Sequence, residues 1–478
     1  MPTHPRKIYL LSPKELSPET IAVTFAKTSR SPETFREIAA DLNDEKSAEF
    51  HEKWVVGYGH ASVAEHAVLH IAIENVSRMA VESIESNRLA SFTEKSTRYQ
   101  KWGSDDFIIP LELEENPQIK KGFLRVCRLL FKTYTQSLSP VRDLVAKQNP
   151  RRENETEESY DRRIRSQYVD SCRFLLPAAS LANVGMTANA RVLENSIRKM
   201  LSHPLQEVRE IGVELKTTCR AELPSLVKYA ESSLYLKKTR EQFTGEAESL
   251  KETKMKVPLG GLTDWCQLID YDPQGEVKVM AAVLYHYAQM PYQQVLETLK
   301  STPSSERNRL AGELMGNLDI HDNPPRELEH TSYTFDLILD QGGYAEFKRH
   351  RIMTQTPQPL TGHLGYVVPR KIFEAGVEAS YRSAMEEAAK EYDLLVQWNP
   401  HVASYVIPNG FNRRVLFTMN LREAYAFCRL RAATNAHFSI RRVARKVAEE
   451  IARVHPLLAS SLLPTNETWM GIEEQFMK

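Results

Sequence analysis

The chain has 478 residues, 42% apolar and 26% charged, which excludes a disordered or fibrous protein and gives enough length for two or three domains. Lysine plus arginine and aspartate plus glutamate both number 62, so there is no overall electrostatic footprint for a nucleic-acid polymer or an anionic membrane surface; a small anion can still meet a local arginine cluster. Cys127, Cys172, Cys219, Cys266 and Cys428 stand singly with no CxxC pair, against a zinc ribbon or a secreted disulfide framework and for reduced, mostly buried thiols; with too short an apolar run for a signal peptide and no window near the about eighteen apolar residues of a membrane span, the reading is a cytoplasmic protein.

From Pro18 the pattern reads as a helix opening on Ser-Pro, a turn, and a second amphipathic helix that ends at a glycine before His60. A short helical turn follows, then the alternation AVLHIAIENV, which predicts a strand with one buried face. Helical spacing from Arg78 to Arg88 leads into NRLASFTEKSTRY, Asn87 to Tyr99. A helix is predicted from Ile119 to about Lys147, and the charged run QNPRRENETEESYDRRIRS reads as a solvated connection or helix face. Helical pattern resumes at Tyr168, breaks at Pro177, and restarts in TANARVLENSIRKML and PLQEVREIGVELKTTCRAEL.

Between 236 and 275 the composition shifts to Lys, Glu, Gly and Pro, and an inter-domain linker is placed there, between a first domain of residues 1–235 and a second of 276–478. After it come EVKVMAAVLYHYAQMPYQQVLETLKS, a loop through NLDIHDNPPRELEH, the alternation TSYTFDLILD, the segment RHRIMTQTPQPLTG at Arg349 to Gly362, and a helical remainder to Glu450. Mostly helical domains with a small antiparallel sheet in each make the class α+β.

The two halves repeat each other. NRLASFTEKSTRY and RHRIMTQTPQPLTG each follow a long apolar run, and each is preceded by a Glu-His pair, Glu65-His66 and Glu329-His330. Downstream, Pro177 leads to Asn189 and Pro408 to Asn420 at the same spacing, each in a Thr-X-Asn-X-Arg segment. A repeat of roughly 200 residues is a duplicated domain, outside the short periods of solenoids and propellers.

Arg349, His350 and Arg351 form the sharpest local cluster. Guanidinium groups grip phosphate through paired hydrogen bonds, and the same triplet would also satisfy the last carbonyls of a helix. In the first copy Glu94, Ser96 and Arg98 alternate along an extended or turn-like segment, a set that suits a polar heterocycle and its phosphate, though taken alone it favours a surface turn with a solvated glutamate. His60, Glu65 and His66 do not make HExxH and show no third ligand, so no metal is assigned. Asn189, Arg191 and Asn195, like Asn420, Arg422 and Arg431, lie at helix spacing, where such residues edge a cofactor or serve as caps.

In combination the order GH-x-S/T-xx-EH, a strand, RHR-xx-S-x-NE-x-S-x-RY, then P-x-N-x-R and LR resembles the flavin-dependent thymidylate synthase family across most of both halves. The resemblance implies transfer of a methylene from methylene-tetrahydrofolate to uracil C5 of dUMP, with FAD reduced by NADPH, in sites shared between subunits of a tetramer. The first copy has Ser86-Asn87-Arg88 for RHR and Thr93 for the asparagine but keeps Glu94, Ser96, Arg98 and Tyr99; the second keeps Arg349, His350 and Arg351 but has Thr356, Pro357, Pro359 and Thr361. The nucleotide-binding arginine matched by Arg173 is Ser404 in the second copy, and the one matched by Arg431 is Met200 in the first.

The losses are complementary, so the resemblance implies one hybrid nucleotide site from Glu94, Ser96, Arg98, Arg173, Arg349 and Arg431, with Ser96 and Arg431 as the catalytic pair, the opposite pairing dead, and a homodimer of two-domain chains imitating the tetramer. Flavin positions matched are His60, Ser62, Glu65, Asn189, Arg191, Asn195 and His203 in the first copy, and Glu329, Arg349, His350, Arg351, Ile352, Asn420 and Arg422 in the second. The family's uracil-facing glutamine is Glu346 here, and an ionised carboxylate only accepts hydrogen bonds, so Glu346 is protonated or turned away, or the base is not uracil. The alternatives are a flavoenzyme for another pyrimidine nucleotide and a non-catalytic nucleotide-binding descendant.

Overall fold

The computed structural model describes residue 9 and residues 11–28, 31–57, 61–99, 102–252, 265–319, 322–459, 461–462 and 467–478. The class is α+β, mostly helical with two small antiparallel sheets. The strands are β1 (Val68–Ser77), β2 (Ala90–Glu94), β3 (Leu181–Asn189), β4 (Cys266–Tyr271), β5 (Ser332–Asp340), β6 (Thr354–Pro357) and β7 (Asn412–Asn420). The helices that matter for the site are α1 (Pro18–Thr28), α2 (Pro117–Gln148), α3 (Glu157–Cys172), α4 (Ala190–Leu201), α5 (Leu234–Glu252), α6 (Gln341–Phe347), α7 (Leu421–Arg431) and α8 (Phe438–Val454).

The sheets order as β1-β3-β2 and β4-β5-β7-β6, so β3 and β7 are the counterparts at the centre. Their burial alternates identically along nine residues, the period-2 signature of a strand with one buried face. Each ends in an asparagine whose side chain caps the next helix: Asn189 Oδ1 accepts from Val192 N at 3.0 Å, and Asn420 Oδ1 from Glu423 N at 2.8 Å. Ser77 and Asp340 likewise cap the helices that follow β1 and β5.

Register fixes the correspondence between copies. Glu94 lies opposite Val184, and Pro357 opposite Val415, the matching residue of β7, so Pro357 occupies the place of Glu94. In the second sheet the cross-strand pair Phe335 and Phe417 stacks at 5.1 Å, and α8 lays Ile440, Val443, Ala444, Val447, Ala448 and Ile451 into the same core at helical spacing.

Two compact units result, and they do not follow the sequence repeat. The first comprises Met1–Lys95, Phe107–Pro117 and Ser180–Lys256; the second comprises Ser96–Asp106, Gln118–Ala179 and Val257–Lys478. Nearly all of α2, all of α3 and the turn bearing Arg98 thus belong with the second copy. Of the stretch 236–275, α5 and β4 are regular structure, β4 pairing antiparallel with β5, and 253–264 lie outside the described residues. All five cysteines are buried and outside any disulfide.

Candidate functional site

Within the second unit, residues from both halves of the sequence meet in one ionic network. The last turn of α3 supplies Asp170, and the 3₁₀ turn Arg173–Leu175 that follows it supplies Arg173, one helical turn away on the same face. A second 3₁₀ turn, Thr97–Tyr99, brings Arg98. From the second copy, α6 carries Glu346, the turn after it His350, and α7 carries Glu423 and Arg431 at its two ends.

Asp170 is the hub on one side. Arg98 grips it in a bidentate pair, with Nε to Oδ1 and Nη2 to Oδ2 both at 2.8 Å, and Arg173 Nη2 approaches Oδ1 at 3.1 Å. Arg173 also donates from Nη1 to Thr97 Oγ1 at 3.1 Å, and its Nη2 lies 3.8 Å from Glu346 Oε1. The other oxygen of Glu346 receives Arg431 Nη1 at 3.0 Å. Arg431 Nε donates to His350 Nε2 at 3.0 Å, and His350 Nδ1 bonds Glu423 Oε1 at 3.1 Å.

The protonation states follow from this order of partners. Burial pushes His350 below its ordinary pKa, outweighing Glu423, so the ring is neutral near pH 7; accepting at Nε2 from a guanidinium fixes its proton on Nδ1, donated to Glu423. Burial would raise Asp170, but Arg173, His437 and Arg98 hold its carboxyl below the usual carboxylate range. Burial also weakens the guanidinium of Arg431, an effect that Arg349 reinforces and Glu346 opposes. His437, fully inside the protein beneath Asp170, is lowered by burial and by Arg173; its Nδ1 accepts from Ser439 N at 3.3 Å, and its ring stacks on Phe438 at 4.2 Å.

Beside the network, Glu423 also lines a cavity of about 750 Å³ with Pro324, Arg326, Ile352, Arg422 and Arg429. Arg422 donates to Pro324 O at 2.8 Å and to Glu329 Oε1 at 2.9 Å. The first unit repeats this pairing, with Arg191 on Glu65. There Ser62 lines a cavity of about 820 Å³ in which Phe25 of α1 stacks on His66 at 4.8 Å.

The structure thus brings Arg98, Arg173, Glu346, His350 and Arg431 together. Glu94 belongs to the first unit, where its buried side chain pairs with Arg78 at 3.0 Å. Ser96 is exposed, and its Oγ accepts from Arg98 N at 3.3 Å. Arg349 is exposed, Arg351 half-buried, and Ile352 exposed at the cavity mouth; Asn195 is exposed on α4, and His203 bonds Ser83 Oγ at 3.3 Å. His60 lies outside the described residues. Sequence reading missed Asp170, Glu423 and His437. For Asp170 the signal was there, an acid three residues before Arg173 on one helix face; Glu423 and His437 carry none, because their partners come from distant segments.

A family model described as thymidylate synthase complementing protein matches residues 11–225 and 267–457. The chain belongs to that family. The two matched segments are the two copies, and the flavin-dependent thymidylate synthase of Clostridium tetani is 27% identical over 218 residues, 45% of this chain and 84% of its own length, the relation of a single-copy to a double-copy protein. Two relatives matched over most of both chains carry no activity in their names: a UPF0159 protein of Chlamydia muridarum is 31% identical over 447 residues, 90% of this chain and 84% of that one, and one of Thermoplasma acidophilum 27% over 451 residues, 87% and 88%. The crystal structure of ThyX, a flavin-dependent thymidylate synthase from Helicobacter pylori complexed with FAD and dUMP, aligns over 42% of this chain and all of its own at 16% identity and a TM-score of 0.32. Among the described residues no helix is long and apolar enough to cross a membrane, and no group of three His, Cys, Asp or Glu is placed to hold a metal.

Proposed function

We propose that this chain is an FAD-dependent thymidylate synthase-like methyltransferase, converting dUMP to dTMP with methylene-tetrahydrofolate and NADPH at a nucleotide site built from both repeats. The observation that carries the reading is the convergence of Arg98 and Arg173, from the first half, with Arg431, from the second, in one buried network, where each copy alone lacks part of the set. Three guanidiniums at one site are the donors a nucleotide phosphate and a pyrimidine carbonyl need. Arg431 and Ser96 are the proposed catalytic pair, with Arg349 completing the nucleotide set.

The cavity beside Glu423 fits a dinucleotide in kind and size. It sets the guanidiniums of Arg326, Arg422 and Arg429 against apolar Ile352 and Leu430, as phosphates next to a ring system require. Asn420, Arg422 and Ile352 line that cavity and are proposed to hold FAD there, while Arg349, His350 and Arg351, outside its lining, are proposed for FAD by the resemblance alone; Ser62, Glu65, Asn189 and Arg191 are the first-copy counterparts. Bound FAD, reduced by NADPH, supplies the hydride that turning the transferred methylene into a methyl group demands. His350, neutral and held between Glu423 and Arg431, keeps the Arg431 guanidinium oriented. We further propose a homodimer, to be weighed by light scattering.

The test is the absorbance spectrum of the purified protein with added FAD, then a titration of dUMP. A bound flavin whose spectrum shifts with dUMP supports the reading, and formation of dTMP establishes it. Protein that takes up no FAD overturns it in favour of a non-catalytic nucleotide-binding descendant. A second reading, a flavoenzyme for another pyrimidine nucleotide, is favoured by Glu346, whose carboxylate offers acceptors only; it holds if dUMP is inert while another pyrimidine nucleotide shifts the flavin spectrum.

A further inference from the structure

Arg98 and Asp170 also line a second cavity of the same unit, about 760 Å³ in volume, whose walls include none of Arg173, Glu346, His350 and Arg431. The end of α2, α3, α8 and two helices of the second copy, Arg370–Glu374 and Trp469–Phe476, enclose it. Its cations are not alike. Arg98 is spent on Asp170, and Arg441 on Glu467. Arg370 and Lys371 have no carboxylate within ion-pair distance among the described residues: Arg370 Nη2 donates to Met477 O at 3.2 Å, and Lys371 Nζ to the amide oxygen of Gln167 at 3.2 Å. Both are half-buried, and Arg370 Nε is buried with no acceptor. Burial holds the Lys371 ammonium below its ordinary pKa, with Asp170 and Glu374 opposing. The remaining carboxylates of the lining, Glu374 and Glu474, are exposed. The inner wall thus keeps the charges of Arg370 and Lys371 without a paired anion, which a phosphomonoester, at about −1.5 to −2, would match. Around them stand the amides of Gln148, Asn149 and Gln167, able to donate and accept as sugar hydroxyls require, and Phe438 and Phe476, whose rings stack at 5.4 Å, add an apolar wall.

We propose that this cavity is a second ligand site, for a sugar phosphate, free or as part of a nucleotide, with Arg370 and Lys371 on the phosphate and the amides on the hydroxyls. It stands apart from the methyl-transfer reading and does not depend on it. A phosphate gives two half-buried cations the charged partner that a backbone carbonyl and a neutral amide do not supply, and charge-assisted hydrogen bonds are about twice as strong as neutral ones. The cavity shares Arg98 and Asp170 with the ionic network, so its occupant lies against the hub that holds Arg173.

The experiment is calorimetric titration of ribose 5-phosphate, inorganic phosphate and adenosine monophosphate into the full-length protein and three variants, with a melting curve of each. Ribose 5-phosphate is expected to bind the unaltered protein, and to bind Lys371→Gln at least tenfold more weakly, the loss of a charged hydrogen bond. Lys371→Arg keeps the charge and should stay within threefold, as should Arg431→Met, which lies outside the lining. Inorganic phosphate should bind at least tenfold more weakly than the sugar phosphate. Adenosine monophosphate tighter than ribose 5-phosphate identifies the nucleotide form, and weaker the free sugar; both support the site when Lys371→Gln reduces them. Failure of the unaltered protein to bind ribose 5-phosphate overturns the proposal, as does equal binding by Lys371→Gln. Equal losses in Lys371→Gln and Lys371→Arg make shape and not charge responsible, and the proposal falls. Binding abolished by Arg431→Met places the ligand in the ionic network, which leaves the nucleotide site standing and refutes this one. Inorganic phosphate as tight as ribose 5-phosphate shows that the amides read nothing, and overturns the sugar-phosphate class.

Discussion

The two copies share a backbone frame and differ in what fills one slot. In the first copy Asn87 occupies it, buried, donating to Ser196 Oγ at 3.0 Å and to Ile84 O at 3.2 Å, and the last inward position of α4 is Met200, 1% exposed. In the second, His350 occupies the slot against the ring of Phe427, 4.9 Å away, and the matching position of α7 is Arg431. The first slot satisfies its polar groups within its own copy, so nothing projects from it. The second passes a hydrogen bond from Glu423 through His350 to Arg431 and on to Glu346 and Arg173. A duplicated domain can thus keep two like frames while one of them carries the ionic network, because the frame depends on capping asparagines and apolar alternation, which both copies retain.

The largest expected effect breaks the network at its hub. Asp170→Ala leaves Arg98 and Arg173 without their shared carboxylate, and should destabilise the second unit by about 3 kcal/mol, the lower range for removing one partner of a buried ion pair. His401, the matched residue of the second copy, is exposed, and His401→Ala should cost within about 1 kcal/mol. Hydrogen exchange in α3 and α7 checks both. Equal costs would remove the asymmetry.

Next comes the exchange of the matched pair at the helix ends. Arg431→Met should weaken dUMP binding by about 10- to 100-fold, the loss of charged hydrogen bonds worth about 1.5–3 kcal/mol. Met200→Arg should give no second site and should instead lower the melting temperature, since it places an unpaired guanidinium in an apolar core. Calorimetric titration and melting curves read the two arms. A second binding event in Met200→Arg would show that the first copy lost its function by this one residue.

Acid should separate the two matched slots as well. His350 and His437 are held below the ordinary histidine value of 6.5 by burial, so the folded chain binds fewer protons than the unfolded chain just under that pH. Stability is therefore present above about pH 6.5 and lost as pH falls, by up to about 1.4 kcal/mol per pH unit for each ring that stays neutral. His350→Asn, which installs the first copy's residue, should flatten that slope in denaturant titrations between pH 6.5 and 5. An unchanged slope would mean that the ring is charged in the folded protein.

The smallest effect sharpens the comparison by its sameness. Asn189→Ala and Asn420→Ala each remove one helix cap and should each cost about 1 kcal/mol, seen as faster exchange in the first turns of α4 and α7. A cap that mattered in only one copy would mean that the frames are less alike than their register.

Much of this molecule is local and so could be read from the chain. The alternation of TSYTFDLILD and of the run ending at Ser77 specifies β5 and β1, because the strand period is a property of neighbouring residues. Thr-X-Asn-X-Arg specifies a capped helix start with an arginine in its first turn, and the repeat specifies two such frames, whereas the central strands β3 and β7 that lead into them differ from the helical pattern read there. The scattered cysteines specify free thiols.

What the chain alone left undetermined was set by contacts between segments far apart in sequence. That α2, α3 and the Arg98 turn belong to the same compact unit as the second copy is decided by packing, which no periodicity encodes. Within that unit Arg98, Arg173 and Arg431 share one network, and Glu94 lies in the other unit on Arg78. The partners that set each charge, Asp170 for two arginines and Glu346 for two more contacts, depend on distances of 2.8 to 3.8 Å, three of the four between residues 72 or more positions apart in the chain; local pattern fixes the elements, and only the folded chain fixes which charges face each other.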